Sequence, residues 1–323
     1  MKNMRIVIIF FLTLIIFFAG CKEDKSEQTE NRELIIFHAG SLSVPFKIIS
    51  KEFEKENKGV KVILEAAGSR NCARKITDLN KKCDIMASAD YTVINNLLIP
   101  KYADWNIKFA SNEMTIVYNQ SSRYANEVTV NNWYDILLKK DVAFGRSDPN
   151  SDPCGYRAIL TCKLAEKYYG IKNFTKNITA KDDNYIRPKE TDLLALLESH
   201  FLDYIFLYRS VAQQHSLKYL ILPDSVNLKN PQLENYYKTV SVNISGKTPY
   251  ESITKKGSPM VYGITIPKNA PNYDLAVKFL QFLLNKDKGL KIMEENGQGS
   301  LVPSVSETFD KIPEILKKFA SEK

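Results

Sequence analysis

Histidine is nearly absent from this 323-residue chain: the three copies, His38, His200 and His215, lie far apart. Their scarcity argues against a histidine-built metal centre and against a Ser/His/Asp hydrolase. Glycine and proline number only 13 each, which excludes a collagen-like or low-complexity chain. No internal repeat, no run of like charge and no Gly-rich phosphate loop stands out. With 25% charged and 44% hydrophobic residues, the composition is that of an ordinary globular protein. The 45 Lys and Arg against 37 Asp and Glu give a formal charge of +8, spread along the chain. That mild excess suits an anionic ligand or an anionic membrane surface, and it makes no demand for nucleic acid. The length allows one large α/β unit or two lobes of about 150 residues each.

Long apolar runs are also missing, except at the start. Lys2 and Arg5 precede an apolar stretch, Ile6 to Phe18, broken only by Thr13 and followed by Ala19, Gly20 and Cys21. The stretch is shorter than the roughly 20 residues of a transmembrane helix, and it ends in small residues, the layout of a signal peptide. The string FFAGC resembles a bacterial lipobox, with Phe18 where Leu is commoner. The resemblance implies a signal peptide over residues 1–20, cleavage before Cys21 and lipid attachment to that cysteine. Residues 21–32 are polar and charged, as expected of a flexible tether. The other cysteines, Cys72, Cys83, Cys154 and Cys162, have no zinc-site spacing. In an exported chain they allow three complete disulfide pairings, which the sequence leaves open. A bridge between Cys72 and Cys154 would tie two lobes together, so free or separately paired thiols are preferred.

Past the tether, a strand-turn-helix pattern occurs three times. Leu34–His38 is an apolar β run, and Phe46, Ile49 and Phe53 then recur at helical spacing, with Ser41 and Ser43 as candidate N-caps. Val60–Ala66 leads through AAGSRN into a helix over Ala73–Leu79. Asp84–Ala87 leads through SADYTV into Ile94–Leu98. Such units predict a doubly wound sheet whose ligands bind at the carboxyl ends of the strands. Further strands are expected at Glu113–Tyr118, Val142–Gly145, Tyr204–Tyr208, Tyr219–Leu222 and Val261–Pro267. Further helices are expected at Gly155–Tyr169, Thr191–Leu197 and Leu275–Leu284. The order implies two lobes joined by two crossovers: residues 33–115 with 262–323, and residues 116–261.

Three segments could carry chemistry. The turns HAGSLS (38–43) and AAGSRN (66–71) each place a glycine and a serine between a strand end and a helix start. Backbone N–H groups, the helix dipole and a hydroxyl favour an anion there, although a serine in such a place also serves as a plain cap. The densest segment, SDPNSDPCGYR (147–157), sets Asp152 and the amides of Cys154 and Gly155 before a helix, with Arg157 near the same end. In PKETDLLALLE, Glu190 and Asp192 flank another helix start, where acids ordinarily serve the dipole. Trp105, Trp133 and His38 are read as packing or rim residues.

The strings IIFHAGSLSVPF, AAGSRNCARKITDL, DIMASADYTVI, YADWNIKFASNEM, SDPCGYR, KETDLLALLE, YRSVAQQHSLKYLILP and VYGITIP, collinear from about Leu34 to Pro303, resemble the archaeal-type tungstate/molybdate-binding lipoproteins. These are the substrate-binding components of ABC importers. The resemblance implies a two-lobed, type II-like periplasmic-binding-protein fold of the α/β class. A mixed doubly wound sheet is expected in each lobe, with one oxyanion, tungstate or molybdate, in the cleft. It also implies a monomer anchored to the membrane outside the cytoplasm, with an ABC permease as partner, no cofactor and no catalysis. Carried over motif by motif, the anion ligands are Ser41, Ser69, Asp152, Glu190 and Tyr208, with the Asp152 and Glu190 carboxylates on the tungsten or molybdenum itself. Arg70 departs from the family pattern, where a small or apolar residue is frequent.

Two carboxylates beside an oxyanion look unfavourable, since like charges about 4 Å apart cost about 1 kcal/mol even in water. They make sense if they coordinate the metal: tungsten and molybdenum accept two further oxygen ligands, and sulfur in sulfate does not. Specificity then comes from a contact the competitor lacks. The alternatives are a receptor for sulfate or phosphate, with the carboxylates away from the ligand, and a hydrolase using Asp152 and Glu190 as acid and base. The hydrolase reading lacks a nucleophile with an adjacent base.

Overall fold

The computed structural model describes residues 32–181, 183–246 and 250–323. The expected signal peptide, the lipid attachment at Cys21 and the tether up to residue 31 lie outside the described residues. No helix among the described residues is long and apolar enough to cross a membrane.

The chain opens with β1 (Arg32–Ala39), whose Leu34, Ile36, Phe37 and Ala39 are buried. A one-turn 3-10 segment, Gly40–Leu42, leads into α1 (Ser43–Glu56), which buries Phe46, Ile49 and Phe53. These three lie on one face because 3.6 residues make a turn. Next come β2 (Val60–Ala67), α2 (Ser69–Thr77), β3 (Ile85–Ser88) and α3 (Tyr91–Val93), the last continued by a π turn over Ile94–Leu98. Two strands then follow back to back, β4 (Ile107–Ser111) and β5 (Met114–Tyr118). They are followed by α4 (Trp133–Leu138), β6 (Phe144–Ser147), α5 (Pro153–Tyr169), α6 (Phe174–Ala180) and β7 (Ile186–Arg187). After α7 (Asp192–Glu198) come β8 (Tyr204–Tyr208), β9 (Lys218–Leu220), β10 (Ser241–Ser245), β11 (Ser252–Lys256), β12 (Val261–Thr265) and β13 (Gly299–Ser300).

Two mixed sheets organise these elements, one in each lobe. The six-stranded sheet runs β13-β4-β12-β3-β1-β2, with β1 parallel to both β2 and β3 and the β12 pairings antiparallel. The five-stranded sheet runs β7-β6-β8-β5-β9, with β6 parallel to β7 and β8, and β5 antiparallel to β8 and β9. β12 therefore returns late in the chain to the first sheet, between β3 and β4. β10 and β11 pair only with each other, as an arm packed on α5.

Apolar side chains fill both lobes. In the first, Phe53 meets Phe279 edge-on at 5.0 Å. In the second, Trp133 makes T-shaped contacts with Phe174 and Phe206 at 5.3 and 6.1 Å. Trp105 and Trp133 are both buried core residues. Burying one such side chain contributes about 1.5–3 kcal/mol, so each lobe has the means to hold its strand ends rigidly. The strand ends matter because β1, β2, β3, β6 and β8 all deliver their carboxyl termini toward the seam between lobes, where ligands of open α/β sheets bind.

The N-cap expectation for Ser41 and Ser43 fails. Leu42 occupies the cap of α1 and no side chain caps it. The hydroxyl of Ser41 is turned away from its own helix and bonds elsewhere.

Candidate functional site

The first lobe brings two turns to the seam. In the turn after β1, Ser41 is buried at 1% exposure, and its Oγ shares a 2.9 Å hydrogen bond with Tyr262 Oη. Its carbonyl accepts from Gln298 Nε2 at 2.9 Å. In the turn after β2, Ser69 is also fully buried, and its Oγ accepts from the Ala89 N–H at 2.9 Å. That bond uses a lone pair of the Ser69 hydroxyl and leaves its proton free to donate. The neighbouring amides of this turn are committed: Arg70 N and Asn71 N donate to the Ser151 carbonyl of the second lobe at 3.1 and 3.3 Å. Two of the backbone donors that the AAGSRN turn was expected to offer an anion are therefore spent on the second lobe.

The second lobe contributes Asp152, Glu190 and Tyr208. Asp152 caps α5, accepting from Cys154 N at 3.3 Å, with Pro153 at the first helical position, where its missing N–H costs nothing. The Cys154 and Gly155 amides thus serve the cap and do not face a ligand, since Gly155 N donates to the Asp152 carbonyl at 3.1 Å. The other Asp152 oxygen accepts from Glu190 N at 2.9 Å, which brings the two acids together across 38 residues of chain. Glu190 is fully buried, and neither of its oxygens has a hydrogen-bond partner. Burial raises both carboxyls above their ordinary range, and for Glu190 the Asp152 charge adds to it. An ionised carboxylate left unpaired in such a place costs several kcal/mol.

Glu190 faces the first lobe. A Cβ placed on Gly40 would lie 3.0 and 3.1 Å from the two Glu190 oxygens and 2.9 Å from Thr191 Oγ1. A Cβ on Gly68 would lie only 2.4 Å from the Ser151 carbonyl. At Gly68 the lobes therefore touch backbone to backbone, and at Gly40 the Glu190 and Thr191 side chains reach the backbone of the first lobe. Tyr208, the last residue of β8, is fully buried, and its Oη accepts from Arg157 Nη1 at 3.0 Å. Having accepted there, its own proton is free to donate to a ligand.

The five residues named from sequence thus all lie buried along the seam, linked by short chains of contacts. Sequence reasoning missed several of their partners. Tyr262 on β12 accepts from Asn112 Nδ2 at 2.9 Å while bonding Ser41, and its ring lies 6.3 Å from that of Tyr208. Nothing in VYGITIP marks this tyrosine, which sits 221 residues from Ser41. Arg157, expected near the helix end, does more than sit there: its guanidinium bonds both Tyr208 and the Ala89 carbonyl, the latter at 2.7 Å. Arg70 does not lend free charge to an entrance. It is buried, and its side chain donates to the Asn150 carbonyl at 3.0 Å and to the Ser245 carbonyl.

His38 packs on Phe46 and donates from Nδ1 to the Ala39 carbonyl at 2.8 Å. Burial lowers its pKa to about 4, so it is neutral at pH 7. Cys72, Cys83, Cys154 and Cys162 are free, buried thiols. Among the described residues no group of three or more His, Cys, Asp or Glu is placed to hold a metal ion. The carboxylate pair is suited to adding ligands to an incoming centre that already carries its own oxygens.

The sequence model for bacterial extracellular solute-binding proteins matches residues 34–298. A solute-binding protein of Petrotoga mobilis, described as uncharacterised, is 51% identical over 288 residues, covering 89% of each chain. The molybdate/tungstate-binding protein WtpA of Pyrococcus abyssi is 45% identical over 337 residues, covering 95% of each chain. WtpA of Thermococcus kodakarensis is 43% identical over 350 residues, covering 98% of this chain and 96% of its own. Among solved structures, the periplasmic molybdate-binding protein of Azotobacter vinelandii superposes with a TM-score of 0.59 at 15% identity, covering 82% of this chain and 98% of its own. The sulfate-binding protein SubI of Mycobacterium tuberculosis superposes at 0.60 with 13% identity, covering 84% and 88%. At such identities the likeness concerns the fold, a two-lobed periplasmic-binding-protein architecture. The chain belongs to the bacterial extracellular solute-binding protein family.

Proposed function

We propose that the protein captures tungstate or molybdate between its two lobes and delivers it to the permease of an ABC importer, without catalysis. The observation that carries this reading is Glu190: fully buried, unpartnered at both oxygens, beside Asp152, and opposed across the seam by Gly40. A buried acid pair of this kind suits an electron-poor centre that accepts carboxylate oxygens, which tungsten and molybdenum do within their oxyanions and sulfur does not. Ser41 and Ser69 would hold anion oxygens from the first lobe. Tyr208 would donate to one from the second, its proton directed away from Arg157. No counter-cation and no cofactor enter this scheme. The naming of two archaeal relatives for molybdate and tungstate supports the same ligand class.

The expected lobe boundaries, 33–115 with 262–323 and 116–261, shift by a few residues in this reading, because β5 from Met114 pairs in the second sheet and β12 from Val261 pairs in the first. The crossovers run near Asn112–Glu113 and through Gly257–Met260. Residues 1–20 act as a signal peptide and Cys21 carries the lipid, so that a monomer is held on the extracytoplasmic face of the membrane, within reach of the permease.

Titration calorimetry of the domain beginning after Cys21, stripped of ligand, tests the proposal with tungstate, molybdate, sulfate and phosphate in turn. One-to-one binding of tungstate and molybdate without sulfate binding is the expected result; tight sulfate or phosphate binding overturns the ligand assignment. Asp152→Ala should lower tungstate affinity at least about 30-fold, as expected when one partner of a buried charged contact is removed. The lost cap should cost stability only about 1 kcal/mol. Unchanged affinity in that variant removes Asp152 from the ligand set.

A further inference from the structure

The seam holds a second buried charge cluster, one that the anion site does not use. Asp90 follows β3 in the first lobe, is 2% exposed, and caps α3 through Oδ1, which accepts from Thr92 N and Oγ1 at 2.9 and 2.8 Å. Its other oxygen is given over to the second lobe. Tyr156 Oη donates to Oδ2 at 2.6 Å, Lys255 Nζ lies 2.5 Å from it, and Arg157 Nη2 stands 3.9 Å away. Lys255 also donates to Thr92 Oγ1. Tyr156 and Arg157 belong to α5, the helix that Asp152 caps; Lys255 belongs to β11, in the two-stranded arm that rests on α5. The arm is held at its other end as well, where Arg74 Nη2 of the first lobe donates to Ser245 Oγ at 2.9 Å and Arg70 donates to the Ser245 carbonyl.

Arg157 joins this cluster to the anion site. Its Nη1 donates to the Ala89 carbonyl, one residue before Asp90, and to the Tyr208 hydroxyl proposed as an anion donor. One guanidinium therefore registers both whether the lobes are docked and where the Tyr208 hydroxyl sits. We propose that Asp90 and Lys255 form an interlobe latch that, acting through Arg157, sets how long the bound anion is retained and not which anion is chosen. The proposal rests on reading the cleft as an oxyanion site. Its physical basis is that pulling apart a buried charge pair passes through a state in which both groups are poorly hydrated and unpaired, a penalty that falls on dissociation. Neither side chain is among the proposed anion ligands, so discrimination between anions is left to Asp152 and Glu190.

The test compares the wild type with Lys255→Met, Asp90→Asn, the double variant and Lys255→Arg, each as the complete exported domain. Stopped-flow fluorescence reads tungstate association and release. Each neutralising single variant should release tungstate about tenfold faster or more, with association changed by less than about threefold. The tungstate-to-molybdate affinity ratio should stay at the wild-type value. The double variant, which leaves no charge of the pair unmatched, should release no faster than the faster single, and Lys255→Arg should restore most of the retention. An unchanged release rate, a loss confined to association, an altered anion ratio or additive effects in the double variant each overturn the latch.

Spin labels at Lys51→Cys and Lys172→Cys, exposed residues on the first and second lobes, add a readout that does not depend on the identity of the anion. The closed population should fall in Lys255→Met relative to wild type; an unchanged distance distribution, with and without anion, overturns the proposal. A wild type that binds neither tungstate nor molybdate defeats the reading of the cleft, and the label distances then decide the latch alone.

Discussion

Glu190 has no hydrogen-bond partner within its buried setting, which makes its replacement informative in two directions at once. Glu190→Gln removes the repulsion from Asp152 and the cost of holding a buried charge. The variant should unfold at a higher temperature by a few degrees, roughly 2 °C for each kcal/mol recovered in a chain of this size. Its tungstate affinity should fall at least about 30-fold, because an amide cannot replace a carboxylate on the metal. Calorimetric scanning and titration of the one variant read both effects; a loss of stability together with unchanged affinity would contradict the assignment.

His38 gives a residue-scale prediction with a defined pH window. Burial holds its folded-state pKa at about 4, below its ordinary 6.5. Above pH 6.5 neither state carries the proton. Between 6.5 and 4 the unfolded chain binds one and the folded chain does not, so stability falls as pH falls through that window and levels off below it. The contribution is about 3 kcal/mol. Denaturant unfolding between pH 7 and 4 should show His38→Gln losing less stability than the wild type by about that amount.

At the scale of elements, the turn after β2 shows why a glycine stands before α2. Gly68 has φ −57° and ψ 138°, a conformation open to any residue, so backbone freedom is not the reason. Space is the reason, since a Cβ there would meet the Ser151 carbonyl at 2.4 Å. Gly68→Ala should therefore leave the first lobe folded, with an unfolding free energy within about 1 kcal/mol of wild type. It should still weaken tungstate binding about tenfold or more by obstructing closure, and scattering from the anion-loaded variant should give a larger radius of gyration than wild type. Equal affinity and equal size would show that the lobes do not meet there in the bound state.

The same turn illustrates what was legible at this scale. Strand, glycine and serine could be read from AAGSRN directly, because each is a local preference, but the helix expected from Ala73 begins at Ser69, inside that turn. That its amides are spent on Ser151 could not be read, because Ser151 is 80 residues away from Asn71 in the chain. Likewise the serines ahead of α1 read as caps, since a Ser before a helix usually is one. In the fold the Ser41 hydroxyl finds Tyr262 instead, and β12 delivers that residue only by returning to the first sheet.

For the whole molecule, the four cysteines test whether the described packing holds in solution. Cys72, Cys83, Cys154 and Cys162 are all buried as free thiols, with Cys72 pushed up to about 12 by burial and the other three also raised. A thiol reagent at pH 8 should modify none of them in the folded protein and all of them after denaturation, and a reductant should leave the unfolding temperature unchanged. Reaction of Cys72 or Cys154 in the native state would mean that the seam opens more readily than the close contacts at Gly40 and Gly68 allow.

The sequence by itself determined much of the strand and helix order, though not β4, β10 or β11, together with the buried stripe of Phe46, Ile49 and Phe53 and the carboxyl-end turns, while the family resemblance singled out the acids Asp152 and Glu190. Each of these follows from periodicity, turn chemistry or a run of recognisable residues within one stretch of chain. Only the tertiary structure decided that Glu190 would be left without a partner, that Arg157 would bridge Tyr208 and the Ala89 carbonyl, and that Asp90 would lie against Lys255. These are contacts between lobes whose chain passes from one to the other twice. Pairings across such distances are set by how two finished surfaces meet, which no local preference encodes.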